Sequence, residues 1–148
     1  MLHIVRLKQY RVHSTQYTEQ TGTKMISSYK DLIVFQKSKT LTIDVIKYFK
    51  KNKVDISNDF LLNQIFRSIS SVGANLAEGF GRNYSQNFKQ FVGIARGSSF
   101  ETGYWLEILL DLNEFDSKVL VGFIDRNIEI NKMLTGLMKN MKGESTKY

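Results

Sequence analysis

The sequence contains neither cysteine nor proline among its 148 residues. The absence of cysteine excludes disulfide bonds, thiolate metal ligands and a cysteine nucleophile, which is usual for proteins of a reducing compartment. Because proline is the strongest helix breaker and a common loop residue, its absence favours long helices joined by short turns. A chain of this length can bury a real core and is typical of one domain.

Histidine is scarce as well, and both copies, His3 and His13, precede the first well-patterned segment. The patterned part of the chain therefore offers no histidine as a general base, as the base of a serine hydrolase or as a metal ligand. The segment Gly79-Phe80-Gly81 lacks the lysine and the preceding strand of a phosphate-binding loop. We therefore predict a protein that is not an enzyme and that uses no cofactor or metal.

Long apolar runs are also missing, since stretches such as 108–110 fall far short of the roughly 20 apolar residues that cross a bilayer. The N-terminus has basic residues but lacks the apolar run of a secretory signal, so we predict a cytoplasmic protein with no membrane partner. The 21 Lys and Arg residues outnumber the 14 Asp and Glu residues. The resulting net charge of +7 favours an anionic partner.

Hydrophobic periodicity divides the chain into three parts. Residues 1–28 show no sustained period and are predicted to form an N-terminal extension, either flexible or upstream of a start at Met25. Residues 29–141 contain four amphipathic helical patterns. Residues 142–148 are a polar tail that we predict to be frayed.

The four patterns predict helices over residues 29–51, 59–79, 85–113 and 117–141. Gly79 and Gly81 are interpreted as the end of the second helix, because glycine adopts the left-handed conformations found there. Short turns imply antiparallel neighbours, and four apolar stripes are buried together in an antiparallel up-down-up-down four-helix bundle, an all-α fold. The alternative is a looser array of helical hairpins that closes only on oligomerisation.

The second and third predicted helices form a hairpin that turns near Tyr84. This turn places Arg67 level with Glu101 and predicts an ion pair between them. It also places Gly73 level with Ala95, in a zone where both helices carry small residues. Small residues allow helices to approach closely. In the predicted contact, the small residues of the second helix face those of the third, that is, Gly73, Ala74 and Ala77 face Ala95, Gly97, Ser98 and Ser99.

Polar residues line one stripe of the second helix at helical spacing, namely Ser71, Asn75, Glu78 and Arg82. In a structural interpretation, Asn75 and Glu78 cap or pair near the helix end and Glu78 holds Arg82. In a functional interpretation, the basic residues of the hairpin and the tyrosine at its turn form a surface for phosphates and stacked bases. The candidate nucleic-acid-binding residues are Arg82, Tyr84, Lys89 and Arg96.

Several segments of the chain carry a family resemblance. They are the run from Tyr29 to Lys37, the pattern Asn-x-Ala-Glu-Gly-x-x-Arg from Asn75 to Arg82, the pair Phe88 and Phe91, and the pattern Ala-Arg-Gly-Ser from Ala95 to Ser98, with Glu101. In this order they resemble the four-helix-bundle proteins encoded in intervening sequences of bacterial 23S rRNA genes. The residues that match the family pattern and are expected to be structural are Arg67, Asn75, Glu78, Gly79, Gly97, Ser98 and Glu101.

The resemblance implies an antiparallel bundle that assembles as a homo-oligomer, a ring of five. It also implies a relation to the accessory variability determinant of diversity-generating retroelements, a basic pentamer that binds reverse transcriptase and nucleic acid. Two functions remain open at this point. The chain is either an accessory protein that binds RNA or an RNA-bound protein such as a reverse transcriptase, or a homo-oligomeric scaffold whose polar stripe only specifies assembly.

Overall fold

A computed structural model describes residues 26–52, 59–82 and 87–141. This part of the chain contains four α-helices and no strand: α1 (Ile33–Lys51), α2 (Asp59–Gly81), α3 (Phe88–Leu112) and α4 (Ser117–Asn140). The prediction of an all-α four-helix bundle is confirmed. Most of the predicted N-terminal extension, residues 83–86 with the predicted turn at Tyr84, and the predicted C-terminal tail lie outside the described residues.

The first helix begins four residues later than predicted. Residues Tyr29–Asp31 form a single 3-10 turn, and Leu32 is extended before α1 starts at Ile33. The cause is a capping box, in which the Asp31 carboxylate accepts a hydrogen bond of 2.9 Å from the Ser28 amide. The Ser28 hydroxyl accepts in turn from the Lys30 amide at 3.3 Å. These local bonds close a separate short turn, which hydrophobic periodicity alone does not reveal.

The turn between α3 and α4 was predicted correctly at residues 113–117. Asn113 ends α3 in the left-handed region with φ of 55°, and its amide donates to the Leu110 carbonyl. Asp116 then caps α4, and its carboxylate accepts from the amides of Lys118 at 2.9 Å and Val119 at 3.3 Å. A tight connection of this kind makes α3 and α4 antiparallel neighbours.

The helices follow one another around the bundle, so that α1 and α3 lie on opposite sides and each packs against both α2 and α4. The Thr42 hydroxyl lies 3.2 Å from the Ile69 carbonyl oxygen, which joins α1 to α2. The Arg126 guanidinium and the Asp44 carboxylate are 2.9 Å apart and join α4 to α1. The resulting order is the predicted up-down-up-down arrangement.

Buried apolar side chains recur on every helix at the spacing that the periodicity predicts, among them Leu41, Leu76, Leu106 and Leu134. Ile128 was predicted from the periodicity to lie on the buried side of the fourth helix, but its side chain is 44% exposed. The core also contains polar side chains that sequence periodicity did not place there. These are Ser38, Ser68, Ser99, Thr102 and Asn127.

Hydrogen bonds between helices engage four of these five polar groups, whereas the Ser38 hydroxyl donates to the Phe35 carbonyl within α1 at 2.9 Å. The Thr102 hydroxyl oxygen of α3 lies 3.0 Å from the Ser68 hydroxyl oxygen of α2. On the other side of α3, the Ser99 hydroxyl donates to Asn127 Oδ1 at 2.9 Å, and Asn127 Nδ2 donates to the Ser99 carbonyl at 2.9 Å. A buried polar group that loses its partner costs about 1–3 kcal/mol. The bonds therefore fix the register of α3 against both of its neighbours.

Gly79 was wrongly interpreted as the end of the second helix. Helix α2 continues to Gly81, and no glycine among the described residues has a positive φ. Gly79 is instead buried against α3, where a Cβ atom would lie only 2.5 Å from Phe91 Cβ. Glycine is required here because the backbone of α2 approaches the Phe91 side chain too closely for any larger residue.

The predicted contact of Gly73 with α3 is also wrong. A Cβ atom at Gly73 would lie 3.4 Å from Ser38 Oγ and 3.6 Å from the Phe35 ring, so this glycine faces α1. Gly97, on the other side of the predicted contact, has open space around it. The close approach of α2 and α3 is made at Gly79, about 1.7 turns beyond Gly73 along α2.

We expect Gly79→Ala to lower the free energy of unfolding by about 1 kcal/mol, since overpacking costs about 1–3 kcal/mol and exceeds the roughly 1 kcal/mol that alanine gains over glycine in a helix. Gly122→Ala is the matched control, because a Cβ atom there meets nothing within 4 Å. It should raise the stability by up to about 1 kcal/mol. Urea denaturation followed by circular dichroism measures both, and equal shifts in the two variants would contradict the close approach.

Candidate nucleic-acid interface

The polar stripe on α2 is held mainly by contacts within the hairpin. Asn75 Nδ2 donates to the Ser71 carbonyl at 2.8 Å and lies 2.9 Å from the Ser71 hydroxyl, which in turn lies 3.0 Å from the Ser98 hydroxyl of α3. One turn further on, the Arg82 guanidinium pairs with the Glu78 carboxylate at 2.8 Å. The predicted Glu78–Arg82 partnership is therefore confirmed.

The predicted ion pair between Arg67 and Glu101 is also confirmed, with 3.7 Å between Arg67 Nη2 and Glu101 Oε1. The same carboxylate oxygen lies 3.4 Å from Trp105 Nε1. The Arg67 side chain is 74% exposed and that of Glu101 is 42% exposed. Solvent screens such an exposed ion pair, so the pair adds little to the stability of the hairpin. Its position agrees with the predicted register of α2 against α3.

The candidate cations do not form one stripe. The Arg82 guanidinium lies 5.9 Å from the centre of the Phe91 ring, on the side of α3 that faces α2. Lys89 and Arg96 are seven residues apart and share another side of α3. Gly93 lies between them, and a Cβ atom there would approach Met138 of α4 at 3.6 Å. Lys89 and Arg96 therefore flank α4, while Tyr84 lies outside the described residues.

A shallow groove of about 480 Å³ runs between α3 and α4. We call it the α3–α4 groove. Its wall on the α3 side is Phe100, which follows Arg96 by one turn and is 60% exposed. The remaining lining residues come from α4 and are Ile128, Asn131, Lys132, Thr135, Gly136 and Lys139. No acidic residue of the described part of the chain lines this groove, and two of its lining residues, Lys132 and Lys139, are cationic.

The antiparallel register brings the cations of α3 level with those of α4. Contacts at Gly93 with Met138 and at Ser99 with Asn127 establish this register. Counting along both helices from these contacts places Arg96 level with Lys132, and Lys89 level with Lys139. Two of the four predicted site residues thus join two lysines that sequence analysis did not single out.

The spacing of the two lysines on α4 is a weak sequence pattern that could have identified them. Lys132 and Lys139 are seven residues apart, as Lys89 and Arg96 are, and such spacing places each pair on one helix face. Phe100 was assigned neither to the apolar stripe of the third helix nor to the site. Only the structure shows that its ring is exposed beside the lysines.

A second charged surface lies on α1 and was interpreted only as a solvated helix end. Lys39, Lys47, Lys50 and Lys51 are exposed on the outward side of this helix, and none of them has an acidic partner within the described residues. Two exposed apolar side chains, Ile33 and Ile43, lie on the same helix. We call this surface the α1 lysine face.

The outward side of α3 has the opposite character. Three large side chains are exposed there, namely Ile94 to 45%, Tyr104 to 58% and Leu112 to 45%. Two acidic residues lie among them, Asp111 and Glu101, of which Glu101 is the partner of Arg67 on α2. Since α1 and α3 occupy opposite sides of the bundle, this α3 acidic face points away from the α1 lysine face.

Within the described residues, no helix combines the length and the apolarity needed to cross a bilayer.

Comparison with solved structures finds a protein of unknown function from the S23 ribosomal protein family of Bacteroides thetaiotaomicron VPI-5482. It shares 27% sequence identity with this chain and superposes with a TM-score of 0.64, over 72% of this chain and 99% of its own. No curated protein matches the chain. Residues 30–136 match the sequence pattern of the family of 23S rRNA-intervening sequence proteins, and the chain belongs to that family.

Proposed function

We propose that the protein is a non-catalytic accessory protein that binds RNA through the α3–α4 groove. The RNA is bound either alone or together with an RNA-bound protein such as a reverse transcriptase. The observation that supports this function best is the convergence of four cations from two helices, Lys89, Arg96, Lys132 and Lys139, around a groove without acidic lining residues.

The charge arrangement suits a phosphate backbone. Arg96 makes no ion pair with the described residues and is only partly buried, so its guanidinium is available to an anion. Lys132 and Lys139 are exposed and likewise lack acidic partners in that part of the chain. Arg82 differs because Glu78 already neutralises it at 2.8 Å. We therefore assign phosphate binding to the groove cations and a structural role to Arg82.

Salt dependence tests this assignment. Each phosphate contact on a single strand contributes about −0.7 to the slope of log K against log salt concentration. The double variant Arg96→Ala with Lys132→Ala should reduce the magnitude of that slope by roughly 1.4 and weaken binding at least tenfold in low salt. Fluorescence anisotropy with a labelled single-stranded RNA measures both quantities.

The control for this experiment is the double variant Lys37→Ala with Lys118→Ala. It removes the same charge, but Lys37 pairs with Glu129 at 2.8 Å and Lys118 lies in the first turn of α4, far from the groove. Binding and slope should change little. An equal loss in both double variants would show that net charge alone attracts the RNA, and absence of binding at low salt would refute the proposed function.

A homo-oligomeric scaffold is the second candidate function, and the complementarity of the α1 lysine face and the α3 acidic face favours it. Lysines with exposed isoleucines on one side could meet acids with exposed apolar residues on the opposite side of a second copy. Such a contact is heterologous, because different surfaces of the two copies meet. Repeated contacts of this kind close into a ring, such as the ring of five implied by the resemblance, or continue as a filament.

Mixing two variants tests the heterologous contact. Lys47→Glu with Lys50→Glu disables the α1 lysine face, and Tyr104→Lys with Asp111→Lys disables the α3 acidic face. We expect light scattering to show an oligomer for the unchanged chain and a monomer for each double variant, because like charges then oppose each other.

In an equimolar mixture of the two double variants, each contact between different variants joins opposite charges, either the two unchanged faces or the two exchanged ones, so oligomers should return. The same four substitutions combined in one chain exchange the charges of both faces and should restore assembly without a second variant. A monomeric unchanged chain, or oligomers that persist in either double variant, would refute this assembly.

A further inference from the structure

Phe100 and Ile128 form an exposed apolar pair across the α3–α4 groove. Phe100 is 60% exposed and Ile128 is 44% exposed, although each lies on a helix with ample buried positions. The two side chains line the groove together with Lys132, and Arg96 lies one turn before Phe100 on the same side of α3. An exposed aromatic ring bordered by cations is the arrangement with which proteins bind single-stranded nucleic acid.

Asn131 supplies a polar group between them. Its side chain lines the groove, and its Oδ1 atom is buried without a hydrogen-bond partner among the described residues. No residue of that part of the chain hydrogen-bonds its Nδ2 atom either. Because neither amide atom is engaged, the amide can turn toward the groove without losing a hydrogen bond. An amide offers a donor and an acceptor side by side, as the edges of nucleobases do.

We infer that the α3–α4 groove binds one unpaired nucleobase, which stacks on Phe100 and forms hydrogen bonds with the Asn131 amide, while the flanking cations hold the adjoining phosphates. This inference rests on the proposed function and specifies its ligand. Arg96 precedes Phe100 by four residues, about 6 Å along the helix axis. A phosphate held by Arg96 therefore has its base beside the Phe100 ring.

A groove that binds an unpaired base prefers single-stranded over double-stranded RNA. In a duplex, both faces of a base are stacked on neighbours and its pairing edge is occupied, so neither Phe100 nor Asn131 could reach it. The phosphates of a duplex remain accessible to the lysines. The groove cations therefore account for binding to any RNA, and the phenylalanine and the asparagine account for the choice of an unpaired base.

Three RNAs of equal charge separate these contributions. The first is an oligoadenylate of about a dozen nucleotides, which is within the usual range of site sizes. The second is the same phosphoribose backbone without bases, and the third is a duplex. Anisotropy with the full chain should show oligoadenylate bound about tenfold more tightly than the abasic strand. Phe100→Leu should remove most of this preference, and Asn131→Ala should reduce it. Neither change should alter the affinity for the abasic strand or the salt dependence.

Phe60→Leu is the matched control, because Phe60 is exposed to 61% and lies on α2, away from the groove. It should leave the preference unchanged. Equal binding of oligoadenylate and abasic strand, tighter binding of the duplex, or an unchanged preference in Phe100→Leu would overturn the inference. The proposed function would survive these results provided that Arg96→Ala with Lys132→Ala still weakens binding. If none of the three RNAs binds, both the inference and the proposed function are refuted.

Discussion

The register of α3 against α2 and α4 is the constraint on which the rest of the structure depends. Thr102 meets Ser68 at one side of α3, and Ser99 meets Asn127 at the other. A slide of one helical turn, about 5.4 Å, would separate both pairs within the core and move the Phe91 side chain from Gly79 to a larger residue. The register that brings Arg96 level with Lys132 is therefore maintained by buried polar groups below the groove, rather than by the cations themselves, which repel each other.

Charge is distributed unevenly around the four-helix bundle. Helix α1 carries five lysines and one aspartate, whereas α3 carries one lysine and one arginine against three acidic residues. The described part of the bundle thus has a basic side and an acidic side, with the basic groove between α3 and α4 as a third region. Since fields of opposite sign on opposite sides favour head-to-tail contacts, association and anion binding can use separate surfaces of one small domain.

The sequence was sufficient to predict the fold because all four helices keep an apolar stripe at the same period, and because the 113–117 turn carries recognisable turn residues. Gly79 was misinterpreted for a physical reason: a glycine that ends a helix and one that permits a close contact look the same without the neighbouring helix. The groove was only half predicted. Lys89 and Arg96 were identified on α3, but the register that places Lys132 and Lys139 beside them depends on Asn127, which periodicity alone did not place in the core.

The residues that carry the family resemblance divide into two groups once their contacts are known. Gly79 permits the approach of Phe91, Asn75 bonds to Ser71 beside Ser98, and Arg67 and Glu78 each hold an ion pair in the hairpin. These residues define the geometry of α2 and α3, which is why family membership identifies the fold without identifying a ligand.

Arg96 and Gly97 are different, because the first has no ionic partner in the described residues and the second has no neighbour that a Cβ atom would touch. A glycine in mid-helix costs about 1 kcal/mol relative to alanine, and nothing within the described bundle requires one at this position. The packing of the monomer therefore leaves this pair unexplained, whereas a partner that approaches the α3 backbone beside a free guanidinium would account for both residues.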